Sequence, residues 1–271
     1  MPGRSRCTPT PLNGADPSGI DWPGTRPLGC VLVHGFTATP NEVRPLGDAL
    51  SAVGFRCHAA RLPGHATTVA DLAMARQDQW LATVHAAVRR MAEETPHVVL
   101  AGVSLGALLA LAVAGAATAP VRALVLMGTP LRFADERTAW LRFVSWVPGL
   151  TGPARIVRKR HGRDILDQDA RARSQAYDMI PLAAVVELLR LRARVKRLLP
   201  RVTQPTLALH GRHDHTAPVA NLETLRRRMP AGGLETAIFE HSAHVLTEDA
   251  ERDAVATRVL DFLSRLETRT R

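Results

Sequence analysis

The chain has 271 residues, 46% hydrophobic and 22% charged, a globular balance long enough to build one large α/β domain around a full central sheet. Its formal net charge of +10 rests almost wholly on Arg residues spread over many segments without interleaved aromatics, which argues against a nucleic-acid partner. Cys7, Cys30 and Cys57 share no metal-type spacing, and the last two sit in apolar runs, which argues against a metal site and for a reducing, cytoplasmic home.

Residues 1–29 are rich in Pro and Gly and hold no apolar core segment. They read as a loose arm rather than a secretory signal, with Ile20 and Trp22 the residues able to pin it. Residues 30–34 are a short apolar run, the mark of a strand buried on both faces. Thr39-Pro40-Asn41-Glu42 opens a helix. Thr39 caps it, Pro40 suits the first helical position and Glu42 completes a capping box, while Pro45 disturbs the second turn. Residues 55–62 read as the next strand. The helix over 79–94 places Trp80, Val84, Ala87, Val88 and Met91 on one face.

Residues 97–103 form a strand and 105–118 its following helix. The stretch 101–121 is almost uncharged, but it divides at Gly102 to Gly106. The helix it leaves, about 14 residues at about 1.5 Å each, is too short to span a bilayer. A crossover helix apolar all round, buried in the domain, explains it instead. Further strands are read at 123–127, 206–210 and 236–239, with helices at 219–229 and 251–267. Arg226, Arg227 and Arg228 end the first of these helices, where cations oppose its negative dipole end. Alternating strands and helices predict a mostly parallel sheet with helices on both faces, all strand C-termini lying along one edge. The alternation fails over 131–200, which holds many Arg residues and no strand. That stretch is expected to be a helical cap over the strand ends, leaving 30–130 and 201–271 as the core.

Gly102-Val103-Ser104-Leu105-Gly106 fits the pattern G-x-S-x-G, with an apolar strand before it and an apolar helix after. Such a turn exposes a serine hydroxyl, and the flanking glycines avoid collisions across it. Ser104 is therefore the candidate nucleophile. His34-Gly35-Phe36 ends an earlier strand, and the backbone N–H groups of Phe36 and Leu105 are the candidate oxyanion donors. A nucleophile on such an elbow takes its partners in the chain order Ser, Asp or Glu, His. Asp214 lies just past a strand end, whereas Asp249 and Asp253 follow the histidines and Asp135 falls at the wrong strand. His244 sits on a loop ahead of the apolar pair Val245-Leu246. His241, directly after the strand, is its rival, and His213 and His215 flank Asp214. Together, Ser104, His244 and Asp214 suit acyl transfer through an acyl-enzyme, with no metal or organic cofactor.

The segments Val33-His34-Gly35-Phe36-Thr37, Leu62-Pro63-Gly64-His65, Gly102-Val103-Ser104-Leu105-Gly106, Gly211-Arg212-His213-Asp214 and Ser242-Ala243-His244-Val245-Leu246 run from the first core strand to the final helix. In their order and spacing, the chain resembles the bacterial carboxylesterase family of α/β-hydrolases, close to the monoacylglycerol lipases. The resemblance implies an α/β-hydrolase fold, a cap over the pocket, and hydrolysis of short to medium acyl esters or monoacylglycerols. It carries the catalytic roles onto Ser104, Asp214 and His244, and the oxyanion role onto Phe36 and Leu105. Ala38 and Ala66 depart from it, standing where the family often has Gly, and 131–200 matches little. The arm before Cys30 is short for the leading β-hairpin common in this fold, so the sheet is expected to lack a strand or two. His65 is read as ordering its own loop by hydrogen bonding.

Trp140, Phe143 and Trp146 are candidates for an acyl pocket, with gluing the cap to the core as their alternative use. The expected partner is a small-molecule ester, without nucleic acid or stable membrane insertion. A C–C hydrolase or acyltransferase would use the same residues. A hydrolase-shaped binding protein for a small apolar ligand would usually have lost a member of the triad.

Overall fold

A computed structural model of the chain describes residues 19–134, 155–158 and 162–268. In chain order, β1 is Ile20–Trp22, β2 Leu28–Val33, α1 Arg44–Ala52, β3 Arg56–Ala60, α2 Val69–Met74, α3 Gln77–Glu94, β4 His97–Val103, α4 Leu105–Ala116 and β5 Val121–Met127. There follow β6 Ile156–Arg158, α5 Gln168–Arg173, β7 Met179–Pro181, α6 Leu182–Leu198, β8 Thr206–Gly211, α7 Ala220–Arg228, β9 Leu234–Phe239 and α8 Arg252–Thr268. The main sheet has 7 strands in the order β1-β3-β2-β4-β5-β8-β9. β1 runs antiparallel to β3, and the other pairings are parallel.

The two-residue period of a strand divides the core cleanly. In β4, Val98 and Leu100 join one apolar cluster, while Val99, Ala101 and Val103 join the other. β5 does the same, sending Leu124 and Leu126 one way and Ala123, Val125 and Met127 the other. α3, α4 and α6 cover the first face, and α1 and α8 cover the second. Both faces are therefore dry, which explains why the central strands read as continuous apolar runs. α4 lies between the sheet and the outer helices α3 and α6, so it is buried around its whole circumference. Among the described residues no helix is long and apolar enough to cross a membrane.

Several expectations need correction. The arm is not loose up to residue 29: Ile20 and Trp22 do pin it, Ile20–Trp22 pairing with β3 and the Trp22 indole N–H donating to Asp48 at 2.6 Å while its ring packs on Gly47, and β2 already begins at Leu28. Thr39 caps a 3₁₀ turn, Pro40–Val43, and Pro45 falls in the first turn of α1, where a missing N–H costs nothing. Glu42 does not complete the capping box; its carboxylate accepts from Gly35 N–H instead.

The stretch 131–200 also divides. α6 is not a cap element: Ala184, Leu188, Leu191 and Val195 are part of the core cluster against α4, so α6 is the crossover helix between β5 and β8. Nor is the stretch free of strands, because β6 and β7 pair into an antiparallel ribbon. Each arm is only 3 residues long, too short for a strand's alternation to show in the sequence. Trp140, Phe143 and Trp146 lie outside the described residues.

Candidate active site

Ser104 stands between the end of β4 and the start of α4 with φ 51° and ψ −106°. A non-glycine residue there carries about 1–3 kcal/mol of strain, which the surroundings must hold. Its N–H donates to Met127 O at 2.8 Å, and its carbonyl accepts from Leu108 N–H at 3.2 Å. The glycines of the motif are sterically required. A Cβ at Gly102 would lie 2.2 Å from the Gly106 carbonyl carbon, and one at Gly106 would lie 2.1 Å from Val33 O. Leu105 is the first residue of α4, so its N–H has no intrahelical acceptor.

Asp214 follows β8 and is buried. One carboxylate oxygen accepts from Thr216 N–H at 2.9 Å and Ala217 N–H at 2.7 Å. The other lies 2.8 Å from His244 Nδ1 and 3.2 Å from His210 Nε2. His210 Nε2 also faces Ala217 O at 3.0 Å, so its proton is shared between two acceptors. Burial pushes the Asp214 carboxyl up, but the charge of His244 and the hydrogen bonds from His210 and His244 outweigh it and hold the group well below the usual carboxylate range. An ionised Asp214 makes His244 Nδ1 the donor, which leaves Nε2 as a bare acceptor.

The His244 ring lies against Gly128, where an added Cβ would come within 3.0 Å of Nδ1. Ser104 N–H is bonded to the preceding residue, Met127. The end of β5 thus brings the candidate nucleophile and the candidate base to one place. The rivals fall elsewhere. His213, His215 and His241 are all exposed, His215 faces Asp164, and His241 N–H donates to Glu251.

Burial pushes the His244 imidazole down, but Asp214, with smaller help from Asp164 and Glu42, more than reverses this, so its pKa is raised. The sign has two consequences. The stability carried by the protonated ring is complete below about pH 6.5 and is lost as pH rises through the raised folded value. The neutral ring needed for proton abstraction appears over that same interval. The profile of kcat/KM against pH should therefore have an acid limb with its midpoint above about 6.5. A midpoint near the carboxylate range would exclude His244 as the controlling group.

The loop after β2 lies beside Ser104: a Cβ at Gly35 would stand 3.5 Å from the Ser104 Cβ and 3.0 Å from a Glu42 carboxylate oxygen. Glu42, itself buried, ties down Gly35 N–H. Its carbonyl accepts from Thr247 Oγ1 at 2.6 Å, which links this turn to the His244 loop. Thr37 adopts φ 70°, a strained choice for a β-branched residue. Its carbonyl accepts from Tyr177 N–H at 2.9 Å. Half-buried Phe36 sets its ring edge-on to His65 and Trp80, with centroids 6.2 and 6.3 Å away.

Behind Phe36, His34 accepts from Leu62 N–H through Nε2 at 3.3 Å, so Nδ1 carries the proton and donates it to Gly35 O at 2.9 Å. Burial holds His34 neutral, with its pKa lowered to about 4. His65 Nδ1 faces Pro63 O at 3.1 Å, the loop-ordering bond expected of it.

Sequence reasoning missed Glu42, Asp164 and Asp249. The buried Asp249 carboxylate accepts from Ala243 N–H at 2.7 Å and Asp167 N–H at 2.9 Å, joining the His244 loop to the insert, the part of the chain between β5 and α6. The spacing of Glu42 from Thr39 fits a capping box, and that local fit masks its bond to Gly35 N–H. For Asp164 no local pattern exists, since its partners His215 and Thr216 are tens of residues away, and the bonds from Asp249 to Leu166 and Asp167 are equally remote.

The family model Hydrolase_4, described as serine aminopeptidase, S33, matches residues 28–251. The chain belongs to this family of hydrolases. It is a serine hydrolase of the lipase and esterase type. It is 27% identical over 261 residues to a thermostable monoacylglycerol lipase of Bacillus sp. (strain H-257), covering 94% of this chain and 96% of that one. It is 26% identical over 238 residues to a carboxylesterase of Bacillus subtilis (strain 168), covering 88% and 92%. A solved structure from the metagenome-derived lipolytic enzymes LipS and LipT superposes with a TM-score of 0.83 at 28% identity, covering 93% of this chain and 100% of that one. The monoacylglycerol lipase of Paleococcus ferrophilus, at 16% identity and a TM-score of 0.77 over 91% and 98% of the two chains, shares the fold.

Proposed function

We propose that this hydrolase cleaves short to medium acyl esters through an acyl-enzyme on Ser104. The observation that carries the reading is the 2.8 Å contact between His244 Nδ1 and Asp214, set beside the strained elbow of Ser104, which follows β4 and is bonded to the end of β5. His244 Nε2 takes the Ser104 proton as Oγ bonds to the acyl carbon, and the carbonyl electron pair moves to its oxygen. The N–H groups of Phe36 and Leu105 hold that oxyanion, the latter with the help of the α4 dipole. Collapse of the tetrahedral intermediate breaks the ester C–O bond, and His244 returns its proton to the departing alcohol. Water then repeats the sequence and frees the acid. Asp214 keeps the imidazole in the required tautomer and stabilises its charged form.

The insert, with Trp140, Phe143 and Trp146, is the proposed cap and acyl pocket. Buried Cys30 and Cys57 are free thiols, in keeping with a cytoplasmic home. A glycerol monoester is the alternative substrate within the same chemistry. A panel of p-nitrophenyl esters and monoacylglycerols of rising chain length separates the readings. The expected result is a kcat/KM that peaks at a short or medium acyl chain in both ester series. A strong preference for the glycerol esters assigns the lipase reading, and turnover of neither, with C–C or acyl-transfer substrates consumed instead, overturns ester hydrolysis as the function.

A further inference from the structure

Asp164 enters the site from the insert, outside every motif that marks the reaction. Its side chain is 8% exposed. One carboxylate oxygen accepts from His215 N–H at 3.0 Å and from Thr216 Oγ1 at 2.8 Å, and the other lies 3.0 Å from His215 Nδ1. These bonds hold the turn whose next N–H groups, at Thr216 and Ala217, hold Asp214. The main-chain carbonyl of the same residue accepts from His244 N–H at 3.1 Å and Val245 N–H at 3.3 Å. One residue of the insert therefore grips both the acid turn and the base loop. Polar atoms of Asp164, Asp214 and His244 lie within 4.8 Å of one another. Asp249 fixes the residues that follow, accepting from Leu166 N–H at 3.0 Å and Asp167 N–H at 2.9 Å.

We propose that Asp164 is a positioning residue for the acid–base pair, holding the Asp214 turn and the His244 loop in register and placing a second negative charge beside the imidazole. The proposal rests on His244 being the base. Its logic is that of a transition state in which the imidazole becomes positive. Groups that are already oriented and negative stabilise that state without reorganising. The charged and titratable groups facing the imidazole come from several elements: Asp214 after β8, Asp164 from the insert and Glu42 from the turn after β2. His215 pairs with Asp164, and His210 pairs with Asp214. Removing the Asp164 charge makes the imidazolium harder to form, so the acid limb moves to lower pH while the plateau falls.

The test is the pH dependence of the rate at which a fluorophosphonate labels Ser104, a readout that needs no knowledge of the substrate. Asp164→Asn keeps an acceptor oxygen and the main-chain carbonyl but removes the charge. It is expected to lower the plateau about 10- to 100-fold and to shift the acid limb down by about half a unit or more. Asp164→Glu is expected to keep the limb of the wild type. A plateau loss with the limb unmoved in Asp164→Asn, or an unchanged profile, overturns the proposal. A wild type that is not labelled sinks the reading of Ser104 and His244, and this proposal with it. Should Asp164→Asn not fold, Thr216→Val removes one bond to Asp164 and leaves its charge. The expected result is then a plateau lowered about threefold with the limb in place; a full plateau or a moved limb overturns the proposal.

Discussion

Ser104→Ala removes ester hydrolysis, with kcat falling by about 10⁵-fold while KM stays within about threefold. The oxygen lost is the one that would bond to the acyl carbon, whereas the groups that receive the ground-state substrate remain. On the proposed mechanism, His244 and Asp214 would then have only water to activate. The residual rate is what an oxyanion site achieves without a nucleophile. The variant keeps its Cβ, so the elbow keeps its strain, and its hydrogen bonds at N–H and C=O are untouched. Unfolding free energy should therefore stay within about 1 kcal/mol of the wild type. Steady-state kinetics with p-nitrophenyl butyrate and a urea melt check the two halves. Retained turnover above a tenth of the wild-type rate would mean that another residue is the nucleophile.

Gly106→Ala destroys the fold at the same place without touching a reacting atom. The added Cβ would meet Val33 O at 2.1 Å and Val33 C at 2.8 Å. These are backbone atoms of β2, in the middle of the sheet, so no side chain can swing aside to relieve the contact. Either α4 moves off the sheet or the elbow opens. α4 is buried around its whole circumference, and both routes expose its apolar surface. The expected loss is about 4 kcal/mol or more, enough to unfold a protein of ordinary stability. Gly233→Ala is the matched control. The nearest atom to its Cβ would be Gln204 O at 3.6 Å, an ordinary contact, and stability should change by less than about 0.5 kcal/mol. Equal melting of both variants would contradict the packing described for the elbow.

The sheet was legible because its strands are buried on both faces. A run such as Val98, Val99 and Leu100 needs no alternation to be recognised as a strand, and its pairing with β2 and β5 follows from the crossover helices. The candidate site was legible wherever local backbone geometry forces a residue type. Gly102 and Gly106 must be glycine for steric reasons, and those reasons leave a mark in the sequence. Asp214 and His244, which the structure sets 2.8 Å apart, are candidates legible from chain order and from their places beyond strand ends.

What escaped were contacts without a local cause. Asp164 reaches His215 across 51 positions, and Asp249 reaches Asp167 across 82, with no pattern around any of them. The place of α6 is hidden for a different reason. Its Arg residues gave it the look of a surface element, yet the face carrying Ala184, Leu188, Leu191 and Val195 closes the core over α4. The role of Glu42 is hidden because two uses of one carboxylate compete. A glutamate three residues after a threonine fits a capping box, and the free N–H of Gly35 took it instead.

The proposed reaction passes through a covalent bond between substrate and Ser104, and that bond can be trapped. Acid quenching during turnover of a p-nitrophenyl ester, followed by peptide mass spectrometry, should find one acyl group on the peptide holding Ser104 and none in Ser104→Ala. The modification should be depleted in Asp214→Asn when both proteins are quenched at the same early time. An acyl group on a different residue, or turnover with no acylated peptide at any quench time, would contradict it.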